Sequence, residues 1–123
     1  MDFADKTFDR LKFSAGSKIF EVGETAQAAF VVLSGEVEIL GRNDKGDMVP
    51  FTVVKRGEMF GELALMQPDA KRTASAKAKT DCEVMTVGRE TLMDKIDRAD
   101  PFLRYWVRYL SDRVVDLSKR LGR

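Results

Sequence analysis

KIFEVGETAQAAFVVLSGEVEIL, residues 18–40, decides the fold class. It holds three short runs, KIFEV (18–22), AFVVL (29–33) and EVEIL (36–40), rich in β-branched and aromatic residues and partly alternating. That texture reads as half-buried strands. Val22-Gly23 and Ser34-Gly35 break it with turn signals. Ser34-Gly35 predicts a tight hairpin between its flanking runs. Outward from this stretch, MVPFTVV (48–54) and CEVMTV (82–87) have the same character. Ala15-Gly16, Asn43 to Asp47 and Arg56-Gly57 punctuate the spaces, and 43–47 predicts a longer, exposed hairpin. Short strands at close spacing predict a sandwich or barrel of the jelly-roll kind over about residues 13–87. The first ten residues mix charge with Phe3 and Phe8 and predict a short helical lead-in.

After Gly88 the period changes. RETLMDKID (89–97) predicts a helix of about two turns with Leu92, Met93 and Ile96 on its apolar side. Asp100 is a good N-cap and Pro101 suits the first helical position, so a second helix starts there. It meets no breaker before Gly122, a natural C-terminal stop. About 20 residues make roughly 30 Å of helix. Leu103, Val107, Leu110, Val114, Leu117 and Leu121 form a heptad seam. Phe102 and Trp106 widen the apolar face near its start. Two uses of this face stay open: packing on the chain's own barrel, or pairing with a second copy as a homodimer.

With 123 residues the chain is predicted to be one domain, 1–123, with the helices over about 89–121. An apolar fraction of 44% suffices for a real core, and a net charge of +1 implies no polyelectrolyte partner. Cys82 is alone, so no disulfide framework exists. No apolar run reaches signal-peptide or membrane length, which predicts a cytoplasmic protein with no membrane partner. The sequence has no His, which excludes a three-His metal centre and the Ser-His and Cys-His nucleophiles. The expectation is a non-enzyme without metal or cofactor.

The chemistry-bearing stretch is FGELALMQPDAKRTA (60–74). A short helix opening at Gly61 and stopped by Pro68 exposes amide N–H groups that favour an anion. Gly61 lets the backbone approach a ligand. Arg72 adds a planar fork for two phosphate oxygens, and the Thr73 hydroxyl another hydrogen bond. Glu62 suits a sugar hydroxyl next to that phosphate. On residue chemistry alone, a ribose phosphate site competes with a surface Glu–Arg pair worth little.

FGELALMQPDAKRTASA resembles the phosphate-binding cassette of cyclic nucleotide-binding domains, as in the bacterial catabolite activator, kinase regulatory subunits and gated channels. AGSKIFEVGETAQAAFVVLSGEVEIL, VVKRGEMFGE and AKTDCEVMTVGRETLMDKI resemble the family's N-terminal roll, its lead into the cassette, and its last strand and B-helix. The resemblance spans roughly residues 8–121. It implies a mostly β fold with flanking helices: a jelly-roll-like β-roll (double-stranded β-helix) with a short N-terminal helix, a cassette helix, a B-helix and a long C-terminal helix.

The same resemblance implies the site. Glu62 would take the ribose 2′-OH and Arg72 the exocyclic phosphate oxygens. Thr73 would add a phosphate or base contact, and Gly61, Leu63 and Ala64 would present backbone. Phe51 and Val53 are candidate walls for the base, whereas Met59, Phe60 and Met66 are expected in the core and Cys82 in a buried strand. The C-terminal helix would close over the base, with Ser118 and Lys119, or Tyr109 and Arg113, as its contacts. The implied ligand is cAMP or cGMP: Thr73 beside Arg72 resembles cGMP-responsive members, Ser118 would favour adenine, and the balance leans to cAMP. No DNA-binding domain is encoded in these residues, and the expected output is movement of the C-terminal helix in a stand-alone regulatory module. The alternative is a ligand-independent dimerisation module of the same fold.

Overall fold

A computed structural model of the chain describes residues 8–120, with side chains described up to residue 117. Its strands pair antiparallel into two four-stranded sheets. One runs in the order β1 (Asp9–Phe13), β8 (Cys82–Gly88), β3 (Ala28–Ser34), β6 (Met59–Phe60). The other runs β2 (Lys18–Phe20), β7 (Ser75–Ala78), β4 (Val37–Arg42), β5 (Met48–Val54). Except from β4 to β5, each strand crosses to the opposite sheet from its predecessor, which is jelly-roll winding.

The hairpin expected at Ser34-Gly35 is not one. β3 and β4 lie in different sheets, and the turn carries the chain between them. Gly35 has φ +77°, and a Cβ there would sit 2.2 Å from the Asp81 carbonyl oxygen. Glu36 ties the corner down: its N–H donates to Thr80 Oγ1 at 3.0 Å and its carbonyl accepts from Lys79. Apolar periodicity identifies strands, not their partners. The 43–47 turn does join a hairpin, β4 to β5, with Asn43 Oδ1 accepting from the N–H groups of Lys45 and Asp47.

The roll begins earlier than expected. Asp9 to Phe13 pair with β8 as a strand, so residues 9 and 10 are not helical. The rest of the predicted lead-in, 1–7, lies outside the described residues. Inside the roll, Phe20, Phe30, Val32, Val37, Val54, Phe60, Val84 and Cys82 form the core together with Ala76 and Ala78. β7 reaches that core by strict alternation, Ala76 and Ala78 inward and Ser75 and Lys77 less buried.

Three helices follow the expected positions. α1 (Glu62–Leu65) is one turn, with Leu65 buried. α2 (Arg89–Asp97) buries Ile96, and Leu92 and Met93 pack on a second cluster of Ala26, Ala29, Leu65 and Ala70. α3 (Pro101–Arg120) is capped by Asp100, whose Oδ1 accepts from Phe102 N–H at 2.9 Å and Leu103 N–H at 3.4 Å. Among the described residues, the roll leaves the apolar face of α3 largely uncovered. Leu103, Val107, Leu110, Val114 and Leu117 are each 41–53% exposed, and Phe102 and Trp106 more so or comparably. The option that this face packs on its own barrel is thereby overturned. Near its start α3 is tied to α2 through Asp97, whose carbonyl accepts from Arg104 and whose carboxylate pairs with Arg108 at 3.4 Å. Leu121 lies outside the described residues.

Candidate functional site

A groove of about 480 Å³ opens beside the cassette. Gly61, Glu62, Leu63, Ala64, Arg72 and Thr73 all line it. Local geometry explains how. Gly61 takes φ +78° and caps α1, a backbone region that costs a residue with a side chain about 1–2 kcal/mol. The first N–H groups of α1 have no partner within so short a helix. Beyond Pro68 the chain turns sharply through Ala70, at φ +51° and fully buried. Residues 70–72 then run along the segment after β2: Ala26 N–H donates to the Ala70 carbonyl, Arg72 N–H to the Glu24 carbonyl, and Gly23 N–H to the Arg72 carbonyl. This clamp fixes the direction in which the Arg72 side chain leaves the backbone.

That side chain points inward and is 5% exposed. Its Nη1 donates to the Gly61 carbonyl and its Nη2 to the Ala28 carbonyl, both at 2.6 Å. The guanidinium carbon lies 3.9 Å from the centre of the Phe20 ring and 5.8 Å from that of Phe30. Burial pushes the Arg72 pKa down, and the negative charges of Glu24 and then Glu62 push it back up. An arginine stays protonated through such a shift, so the groove floor holds a fixed positive charge. Two of the five guanidinium N–H bonds are used on carbonyls, which leaves the others for an anion.

The remainder of the groove is mostly apolar, with Arg42 and Thr52 as its polar members. Ile39, Val49 and Phe51 come from β4 and β5. Phe51 reaches it through a bulge: Ile39 pairs with Thr52 and Leu40 with Pro50, so Phe51 is the extra residue. Its ring lies over Gly41, where a Cβ would meet Phe51 Cε1 at 2.8 Å. Of the two candidate base walls, Phe51 lines the groove and Val53 does not. Met59 also lines the groove and is 48% exposed, so its expected core role is corrected: it occupies the outward-facing position of β6, and only Phe60 is buried. Cys82 is buried in β8, as expected, with its thiol pKa raised by that burial.

Tyr109 and Arg113 are on α3 and do not line the groove; Arg113 Nη1 donates to the Tyr109 hydroxyl at 2.9 Å. Ser118 and Lys119 have side chains outside the described part. Sequence reasoning missed Phe20, Glu24 and Ala28. A phenylalanine and an alanine in apolar strands carry no signal of an arginine partner, and Glu24 is one acid in a turn. Among the described residues no group of three or more Asp, Glu or Cys side chains is placed to hold a metal, and no helix is long and apolar enough to cross a membrane.

The family model of the cyclic nucleotide-binding domain matches residues 10–99. The chain is 42% identical over 82 residues to the cAMP-dependent protein kinase regulatory subunit of Aspergillus fumigatus, covering 67% of the chain and 19% of that protein. It is 33% identical over 98 residues to the cyclic AMP receptor protein of Thermus thermophilus, covering 80% of the chain and 45% of that protein. Among solved structures, the cAMP-bound form of the EAL enzyme Bd1971 aligns with a TM-score of 0.77 at 26% identity, covering 93% of the chain and 29% of that one. The chain thus spans less than half the length of these relatives.

Proposed function

The chain belongs to the cyclic nucleotide-binding domain family, and on that premise we propose that it is a regulatory module that takes up cAMP in the cassette groove. The observation that carries this is the convergence of Arg72, Glu62 and the opening turn of α1 on one groove with an apolar far wall. Arg72 and the amides of that turn take the cyclic phosphate. Glu62 accepts from the ribose 2′-OH, and Thr73 adds a hydroxyl to the phosphate or the base. Gly61, Leu63 and Ala64 bring backbone to the sugar phosphate, and Phe51 walls the base. The relatives named for cAMP support this ligand.

The output is movement of α3. The exposed apolar face of α3 supports reading its position as lid-open, and a ligand that touches both cassette and helix would shift it towards closure by its differential affinity. Coupling of this kind is worth about 1–3 kcal/mol. Tyr109, Arg113 and Ser118 are the positions from which the lid would reach the base. The module acts as one domain without catalysis, within the cytoplasm.

Calorimetric titration of the chain with cAMP and with cGMP tests this. Saturable one-to-one binding, tighter for cAMP, is expected. A second reading rests on the exposed seam of α3: an interaction module that pairs with a second copy irrespective of nucleotide. Absence of heat with both nucleotides, together with a dimer in sedimentation that Leu110→Glu dissociates, would favour it.

A further inference from the structure

We propose that Phe20 is a positioning residue for the nucleotide phosphate, acting through Arg72; this rests on the cAMP-binding reading and deepens it. Phe20 ends β2 and belongs to the core, yet it also lines the groove. Its ring lies directly beneath the Arg72 guanidinium, 3.9 Å from ring centre to guanidinium carbon. The two carbonyls of Gly61 and Ala28 fix two corners of the fork, and the ring face sets the plane. Each constraint comes from a different segment: β2, the start of β3, and the turn into α1.

The surroundings are arranged for this contact. Phe20 stands in an aromatic trio with Phe30 and Phe60, at centroid distances of 5.8 and 6.1 Å, which prevents the ring from swinging aside. Gly61 leaves the space: a Cβ there would lie 2.8 Å from Arg72 Nη1 and 3.2 Å from Phe20 Cε2. A cation over a desolvated aromatic face is attracted by the ring quadrupole. This attraction offsets part of the cost of burying the guanidinium, which has no carboxylate within salt-bridge distance among the described residues. Bidentate grip on a phosphate depends on the plane of the fork, so an aliphatic residue beneath it leaves the charge but loosens its aim.

The test titrates cAMP into the wild type, Phe20→Leu and Phe20→Tyr, with thermal unfolding of each. Phe20→Leu is expected to weaken binding about tenfold while Phe20→Tyr, which keeps the π face, stays within about threefold of wild type. In the ligand-free wild type, the Arg72 Cδ protons and Nε–H are expected to show an upfield ring-current shift by NMR. Wild-type affinity in Phe20→Leu, or equal weakening in both variants, overturns the inference and leaves the binding reading intact. If Phe20→Leu does not fold, the ring-current shift decides, and its absence overturns the inference. A wild type that takes up no cyclic nucleotide overturns the binding reading and this inference with it.

Discussion

Arg72 and Gly61 are mutually dependent: the arginine donates to the Gly61 carbonyl at 2.6 Å, and a Cβ on Gly61 would lie 2.8 Å from the donating nitrogen. The pair links the turn into α1 with the strand-like exit of the cassette, eleven residues apart in sequence. The arginine is buried in the fold as well as being a candidate ligand group.

Gly61→Ala is expected to be costly on two counts. The left-handed backbone costs an alanine about 1–2 kcal/mol, which lowers stability. The added carbon also displaces the Arg72 fork, so cAMP affinity falls by more than about tenfold, the equivalent of 1.4 kcal/mol. Thermal unfolding and calorimetry on the same sample check both effects.

Glu62→Gln separates binding from folding. Glu62 is half-buried at the groove, and the substitution keeps its size while removing its charge. Loss of a charged hydrogen bond to the ribose would weaken cAMP by about 1.5–3 kcal/mol. The unfolding midpoint should fall only modestly, since the substitution keeps the packing and removes a charge that favours the buried Arg72 cation. Titration with 2′-deoxy-cAMP supplies the complementary deletion: the analogue should bind wild type and Glu62→Gln with similar affinity.

Cys82 gives a pH dependence of known sign. Its thiol pKa is raised by burial, with Asp81 adding to the effect. As pH rises past the ordinary thiol value of about 8.5, the unfolded chain loses the proton while the folded chain keeps it. Stability from this group is therefore complete below that pH and declines above it. The stability gap between wild type and Cys82→Ala, measured by urea unfolding, should shrink from about pH 8 to pH 10.

Gly35→Ala tests the corner that sequence reasoning misjudged. A Cβ there would meet the Asp81 carbonyl oxygen at 2.2 Å and Cys82 Cβ at 2.7 Å, with φ at +77°. The expected loss is at least about 2 kcal/mol, from backbone strain and overpacking together. cAMP affinity of the folded variant should be unchanged, because Gly35 does not line the groove.

What the sequence made legible follows from local chemistry. Asp100-Pro101 announces α3 because cap and first-turn preferences are local, and α1 and α2 lie where Gly61 and the 89–97 pattern predict. β7 went unread because SAKA has little β-propensity; its pairing with β2 and β4 holds it in the sheet. Ser34-Gly35 predicts a hairpin that the structure lacks, because a turn signal does not say which sheet receives the next strand. In the cassette, residue types and spacing leave a ribose phosphate site competing with a surface Glu–Arg pair, only the family resemblance favours the site, and neither shows the depth of Arg72. An arginine after a lysine reads as a surface charge, and only the clamp with 23–26 turns it inward.

The most direct test of the central claim is the crystal structure of the chain with cAMP. The cyclic phosphate is expected within hydrogen-bonding distance of the Arg72 guanidinium and the first amides of α1, with the ribose 2′-OH on the Glu62 carboxylate. A nucleotide bound elsewhere, with Arg72 still turned only to the carbonyls of Gly61 and Ala28, would contradict it.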